Sequence, residues 1–415
     1  MRGTLKIPAS LCMKCRGSKM LCGLSYCPVS INSMNRVSLG NIKKASEVSG
    51  SSPPSVFVGR YGYPKVLVYP SSPPINGNTY NFEESRAWPD IPLDQFVSMR
   101  MSLVRGSVPY KVDVPANPDS TFQRIQEMAL AGQSVDVDIE FSRPLDLSKI
   151  DVDENTPPMG PASPLRNIEI GNVRIGRKME KVYYDTDLKA SEAMSILYRE
   201  DVDPQRIAMS LSTGSLGIGK NRKIVPTRWA ITAIDQQISN DLVKKIKEFP
   251  SIDKFLAYRR EVNGNLFVAI LTPSNWIYEW GEGWFPGSTW NMWGTEAEVE
   301  IDYEGYYGRK TYPDIGGCYY ASRVAVSEAF ERMGRSGGSL AWREIYPGFN
   351  LPVGVWFVRE NMRRMFQQKP EEFDTIDDAI ECISKGMRID PSRWKSHSYV
   401  YKTLRYNNLE RFFSL

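Results

Sequence analysis

The chain has one histidine, His397, in the polar stretch Trp394-Lys395-Ser396-His397-Ser398. Any nucleophile–histidine pair would have to use that residue, and a metal site built on several imidazoles is excluded. If the protein is an enzyme, carboxylates, Lys, Tyr or Ser must move its protons. Acidic residues are missing from the start of the chain, with no Asp or Glu before Glu47. Nowhere does an apolar run approach the ~20 residues a spanning helix needs. The first residues do not read as a signal peptide, because Cys, Lys and Arg interrupt them before any apolar run develops. These absences point to a cytoplasmic protein with no membrane contact. Cysteine is scarce beyond residue 27, where only Cys318 and Cys382 occur, far apart and reading as buried thiols.

The other four cysteines, Cys12, Cys15, Cys22 and Cys27, fall in a C-x2-C, x6, C-x4-C pattern with Gly17, Gly23 and Pro28 between and beside them. Thiolates brought together by short glycine-bearing turns suit a tetrahedral Zn²⁺ site with four sulfur ligands and no open position. Such a site holds structure, and metal binding would supply the folding energy of a segment too short for its own core. An iron–sulfur cluster accepts the same four ligands. A pair of disulfides would need an oxidising compartment, which nothing else here suggests. Lys14, Arg16 and Lys19 lie inside this segment, whose one-signed charge suits phosphate contacts and hence DNA.

The chain's 415 residues, 41% hydrophobic and 24% charged with a net charge of +4, are too many for one core. The expectation is an α+β protein: an N-terminal four-cysteine zinc module followed by a two-lobed mixed α/β core. The basic module spans 1–45, with a Ser/Gly/Pro-rich linker at 46–55 leading out of it. A first α+β lobe spans 46–143, a proline-rich linker 144–166, a second α+β lobe 167–400, and a C-terminal tail 401–415. Strands are expected at Val56–Val58, Val66–Tyr69, Val135–Phe141, Ile207–Leu211, Leu266–Leu271 and Glu298–Tyr303. Helices are expected at Asp119–Ala131, Asp187–Arg199, Ala230–Phe249, Ser322–Met333, Val358–Phe366 and Ile376–Lys385, while Asp94–Val104 fits a helix or an amphipathic strand.

Four further patterns carry possible chemistry. Gly214 to Asn221 has the spacing of a phosphate-cradling loop, but Asn221 stands where Mg²⁺ needs a hydroxyl and Pro226 interrupts the following helix. What remains is a phosphate contact through Gly217, Gly219, Lys220, Arg222 and Lys223. Trp276, Trp280, Trp284, Trp290 and Trp293, with the tyrosines that follow, either fill a core or stack on unpaired bases. Glu296, Glu298, Glu300 and Asp302 alternate along one strand face, as a solvated sheet face or a two-metal site would. At the C-terminus, Leu409, Phe412 and Phe413 sit at i, i+3 and i+4. That is the form of the plug by which replication and repair proteins enter the sliding clamp (PCNA), with Tyr406 where the motif carries Gln.

Taken together, these pieces resemble the archaeal Nre proteins, a family associated with DNA repair. The likeness covers nearly the whole chain. It is carried by Cys12-Met-Lys-Cys15 and Leu21-Cys-Gly-Leu-Ser-Tyr-Cys27-Pro28, by Lys223-Ile-Val-Pro-Thr-Arg-Trp-Ala-Ile-Thr-Ala-Ile-Asp235, and by Tyr346-Pro-Gly-Phe-Asn-Leu-Pro-Val-Gly-Val-Trp-Phe-Val-Arg-Glu360. The resemblance implies zinc on Cys12, Cys15, Cys22 and Cys27 and a clamp-binding plug on Leu409, Phe412 and Phe413. The expected function is a DNA repair factor that binds DNA and is recruited by the clamp. The alternative is a DNA- or nucleotide-processing enzyme with Asp235 as general base or metal ligand and Arg228 holding phosphate.

Overall fold

The computed structural model describes residues 7–17, 19–24, 27, 29, 46–145 and 154–405. The chain divides into two compact units, one of residues 34–238 and one that joins 1–33 to 239–415. The division therefore falls inside the long helix Thr227–Ile246, and the N-terminal cysteines belong with the C-terminal half. The proline-rich stretch is not a boundary between lobes.

The first unit is built on a six-stranded mixed sheet in the order β1-β5-β6-β4-β3-β2. Its strands are β1 (Glu47–Ser52), β2 (Ser55–Val58), β3 (Lys65–Ser72), β4 (Val104–Lys111), β5 (Val135–Phe141) and β6 (Ala162–Ile170). The alternation expected for Val135–Phe141 is present, with Val135, Val137, Ile139 and Phe141 turned into the core. Against them packs the helix Ser120–Leu130, whose Phe122, Ile125, Met128 and Ala129 are all buried. The Asp119 carboxylate caps that helix by accepting from the Phe122 amide at 2.7 Å.

Three segments depart from the sequence reading for identifiable reasons. The 46–55 linker is largely strand: Glu47–Ser52 pairs antiparallel with β5. Ser51, Ser52 and Ser55 are buried with their hydroxyls paired, Ser51 to Asp136 at 2.8 Å, Ser52 to the Ser71 carbonyl at 2.6 Å and Ser55 to Glu83 at 2.5 Å. Within 144–166, residues 155–163 are buried rather than lying over the surface, and Ala162 begins β6. Proline carbonyls there accept from arginines: Pro158 O from Arg100 Nε at 3.2 Å, with the neighbouring Gly160 O taken by Arg105 Nε at 2.8 Å. Composition signalled a loop, and buried guanidinium groups override it by satisfying the carbonyls. Ile207–Leu211 is part of a helix, Pro204–Ser212, started by the Asp203 cap and Pro204 at its first position.

The second unit carries another six-stranded mixed sheet, in the order β10-β9-β11-β8-β7-β12. These strands are β7 (Phe255–Val262), β8 (Asn265–Thr272), β9 (Tyr278–Trp284), β10 (Glu298–Glu304), β11 (Gly338–Ile345) and β12 (Glu371–Phe373). The central strands β8, β9 and β11 are buried along their whole lengths. Gly281 and Gly283 alternate along β9 because Trp394 lies across that face; a methyl group on Gly283 would meet its ring at 2.9 Å. Trp394 stacks on Trp342 with centroids 5.1 Å apart. No helix among the described residues is long and apolar enough to cross a membrane.

Arg206 tests the guanidinium argument in the first unit. Fully buried, it donates to the carbonyls of Pro54 (2.9 Å), Ala129 (3.1 Å) and Ala131. Replacing it with Met keeps volume and strands three acceptors, so Arg206→Met should cost about 3 kcal/mol of stability. Urea denaturation measures this; a loss under 1 kcal/mol would mean water reaches those carbonyls.

Candidate metal centre and polar sites

The helix Ala9–Cys15 puts Cys12 and Cys15 three residues apart, on one side of a helical turn. The chain then reverses through Arg16 (φ 47°) and Gly17 (φ 68°), both left-handed, and the Leu21 amide donates to Cys15 Sγ at 3.4 Å. Cys12, Cys15, Cys22 and Cys27 line one pocket, together with Leu11, Trp290 and Trp293. Burial, then the neighbouring thiols Cys27, Cys15 and Cys22, push the Cys12 thiol up to about 11. Cys12 would therefore hold its proton in this half-buried apolar pocket, and a bound cation would reverse that preference. The donor set thus fits a thiolate-binding metal. Among the described residues, however, no group of three or more Cys, His, Asp or Glu side chains is already arranged to hold an ion.

The cysteine segment is anchored to the sheet by charge. The Arg16 guanidinium bonds Glu282 at 2.8 Å and Glu300 at 3.2 Å, and lies 5.8 Å from the Trp284 ring centroid. Glu282 also accepts from Arg343 at 3.3 Å, and Arg343 donates to Asn265 Oδ1 at 2.7 Å. Helix Ala9–Cys15 also lies close to Gly294, where an added methyl group would meet Ala9 Cβ at 3.2 Å. Burial raises the Glu282 pKa, but the Arg16 and Arg343 guanidiniums overcome it and hold the carboxyl below its ordinary value.

Arg16, expected on the sequence to contact phosphate, is therefore unavailable: it is 3% exposed and bound to two carboxylates. Lys14 and Lys19 are exposed. The acidic alternation divides: Glu296 is exposed ahead of β10, whereas the later carboxylates on the strand are paired. Glu300 and Asp302, with Glu304 beyond them, lie neither on a solvated face nor in a metal cluster; each is tied to an arginine, Arg16, Arg309 and Arg323 respectively. Most of the tryptophan belt is core: Trp276, Trp280, Trp284 and Trp290 are buried, while Trp293 is exposed.

In the first unit the Gly214–Asn221 loop does not cradle an anion. It follows a helix rather than a strand, and Gly219 opens only a single 3₁₀ turn, Gly219–Asn221. The Gly219 amide donates to the Thr186 carbonyl at 2.8 Å, and the Gly217 carbonyl accepts from Arg222 Nε at 2.8 Å. Arg222 also bonds the Tyr183 carbonyl at 2.5 Å and is buried, so Gly217, Gly219 and Arg222 are structural here. Lys220 and Lys223 remain exposed beside them.

Arg228 and Asp235 both lie on the helix Thr227–Ile246, seven residues apart, which is a rise of roughly 10 Å. Arg228 is paired with Glu154, and Asp235 is completely buried. At that spacing they share one face of the helix, two turns apart. Sequence reasoning missed the Arg16–Glu282 anchor. Its visible signal was a strand, Tyr278-Glu-Trp-Gly-Glu-Gly-Trp284, too aromatic to be exposed yet carrying two carboxylates.

Arg16→Ala should leave Glu282 half-neutralised in a buried site, at a cost of about 3–5 kcal/mol. Limited trypsin digestion reads the result, since cleavage after Lys14 and Lys19 should accelerate while the sheet stays intact. Unchanged cleavage would mean that Gly294 packing alone holds the helix. Acid should act the same way. Because the Glu282 pKa is depressed in the fold, its stabilisation is present above the unfolded value of 4.5 and lost as pH falls through the folded one. Urea denaturation across a pH series should therefore show the wild type approaching the stability of Arg16→Ala only below about pH 4.5.

Two family models match the chain: "Archaeal Nre, N-terminal" over residues 21–291 and "Archaeal Nre, C-terminal" over residues 304–412. A protein of Archaeoglobus fulgidus described as DNA repair protein NreB is 42% identical over 402 residues, covering 97% of this chain and 99% of that protein. DNA repair protein NreA of the same organism is 35% identical over 387 residues, 93% of this chain and 95% of the relative. DNA repair protein NreA of Haloferax volcanii is 35% identical over 352 residues, 82% and 83% of the two chains. No solved structure matches.

Proposed function

Because this chain belongs to the archaeal Nre family, we propose that it is a DNA repair factor that binds DNA and is brought to its site by the sliding clamp. The observation that carries this reading is identity at 42% along almost the full length of a protein described as acting in DNA repair. Lysines supply the DNA contacts: Lys14 and Lys19 on the cysteine segment, and Lys220 and Lys223 on the loop of the other unit, all exposed. Zinc is the metal proposed for Cys12, Cys15, Cys22 and Cys27, in a structural role. It would draw the thiols into ligand geometry and fix the segment that Arg16 anchors. The clamp-binding plug, Leu409, Phe412 and Phe413, lies outside the described residues and rests on the sequence pattern alone.

An enzymatic reading centred on Asp235 and Arg228 finds no support in their placement, one buried and the other committed to Glu154.

Two experiments test its parts separately. Phe412→Ala combined with Phe413→Ala should abolish binding to the purified clamp in surface plasmon resonance while leaving the melting temperature unchanged. Retained clamp binding would remove recruitment from the account. Metal analysis of protein purified without added zinc should give one zinc per chain, lost in Cys12→Ser with Cys15→Ser. Iron with visible absorbance would replace zinc by a cluster, and no metal at all would leave four packed thiols.

A further inference from the structure

The β2–β3 hairpin turns through Arg60-Tyr61-Gly62-Tyr63-Pro64, and its tip carries exposed rings. Gly62 (φ 85°) permits the turn; a methyl group there would meet the Lys65 carbonyl at 2.6 Å. Tyr61 is 70% exposed and Tyr63 51% exposed. From a separate element, the start of the helix Thr227–Ile246, Trp229 (45% exposed) places its ring 5.4 Å from that of Tyr63. Large rings left half in water at the junction of two elements are unusual enough to need a reason.

The junction is rigid. The Val58 amide donates to Thr227 Oγ1 at 2.8 Å, joining the end of β2 to the helix start. The Val112 amide donates to the Pro64 carbonyl at 2.9 Å, and the Ile224 amide to the Val112 carbonyl at 2.8 Å. Hairpin tip, end of β4 and loop 220–229 are thus hydrogen-bonded into one surface.

That surface is basic. Lys65 and Lys111 are directly opposed across β3 and β4, an arrangement of like charges that costs stability unless an anion lies over it. Lys223 precedes the Ile224 that bonds Val112, which brings it to the same edge. Across segments 58–67, 108–113 and 220–229 the sole acid is Asp113. Among the described residues, Lys65, Lys111 and Lys223 make no ion pair.

We infer that Tyr61, Tyr63 and Trp229, flanked by Lys65, Lys111 and Lys223, form a platform for single-stranded DNA, with the rings stacking on unpaired bases and the lysines following the phosphates. The inference rests on the DNA-binding reading above and specifies the form of DNA. A duplex offers only phosphates to such a surface, because its base faces are already stacked. A strand with free bases offers both. Arg60 adds to the platform by lying 4.9 Å from the Tyr61 ring centroid, which stiffens that side chain without covering both faces of its ring.

The test uses the full chain, fluorescence anisotropy, and three 30-nucleotide probes: oligo-dT, an abasic strand of the same length, and a duplex. Wild-type protein should prefer oligo-dT to the abasic strand by about fivefold or more, the least that one lost stacking contact of ~1 kcal/mol allows. Tyr63→Ala with Trp229→Ala should reduce that preference, Tyr61 keeping the remainder, and leave abasic-strand affinity unchanged. Tyr63→Phe with Trp229→Phe should keep it, which separates stacking from folding. Lys65→Glu with Lys111→Glu should weaken both single strands and flatten the salt dependence. If the double alanine variant binds oligo-dT as tightly as wild type, or wild type shows no preference over the abasic strand, the platform is wrong while DNA binding stands. If wild type binds none of the three probes, the platform and the DNA-binding reading fall together.

Discussion

Glu282 is a fully buried carboxylate in the middle strand region of the second unit, and the placement of the N-terminus depends on keeping it ionised. A carboxylate without solvent needs cations at contact distance. Arg343 on the adjacent strand β11 supplies one, in parallel register opposite Glu282. The other is Arg16, which comes from 266 residues away in the chain. This single requirement draws the helix Ala9–Cys15 and its two thiols onto the face of the sheet. It also explains why Arg16 adopts a left-handed backbone that a residue with a side chain normally avoids. The four-cysteine segment is therefore a docked component of the C-terminal unit, and a metal bound there would reinforce a segment already held by charge.

The same use of arginine recurs through both units. Among the described residues every buried cation is an arginine: Arg16, Arg100, Arg105, Arg206, Arg222, Arg323, Arg343 and Arg359, with no lysine. A planar fork with five donors can satisfy several carbonyls or carboxylates at once, which a lysine ammonium cannot do as rigidly. Arg323 bonds Glu304, Ser239 and Asn240 together, and Arg105 holds Gly160 while lying over the Tyr69 ring. Arginine alone serves the interior, whereas the exposed basic surface mixes lysines such as Lys14, Lys65 and Lys111 with arginines such as Arg124, Arg174 and Arg177.

What could be read from the chain followed from how locally each feature is determined. The helix Ser120–Leu130 and strand β5 were legible because their apolar periods are clean and their partners are apolar. The Ser-rich β1 and the buried prolines near 158 were not, since their stability comes from hydroxyl and guanidinium bonds to residues distant in sequence. Of the two readings open for the tryptophan belt, core holds for all but Trp293, because large rings on and beside an all-buried strand are needed to fill it. The glycine loop misled because its spacing says nothing of whether its amides are free, and Thr186 takes the Gly219 amide. Arg16 misled most: a basic residue between two cysteines reads as a phosphate contact until Glu282 is seen opposite it. The four thiols themselves were legible from spacing as a group that shares one pocket.

Hydrogen exchange read by mass spectrometry, on wild type and on Arg16→Ala, tests this coupling most directly. If the cysteine segment is part of the C-terminal unit through Arg16 and Glu282, loss of the guanidinium should raise exchange together in residues 9–17 and in strands β9 and β10. Exchange elsewhere should change little. A rise confined to residues 9–17, with β9 and β10 as protected as before, would show that the segment and the sheet are independent and would contradict the account.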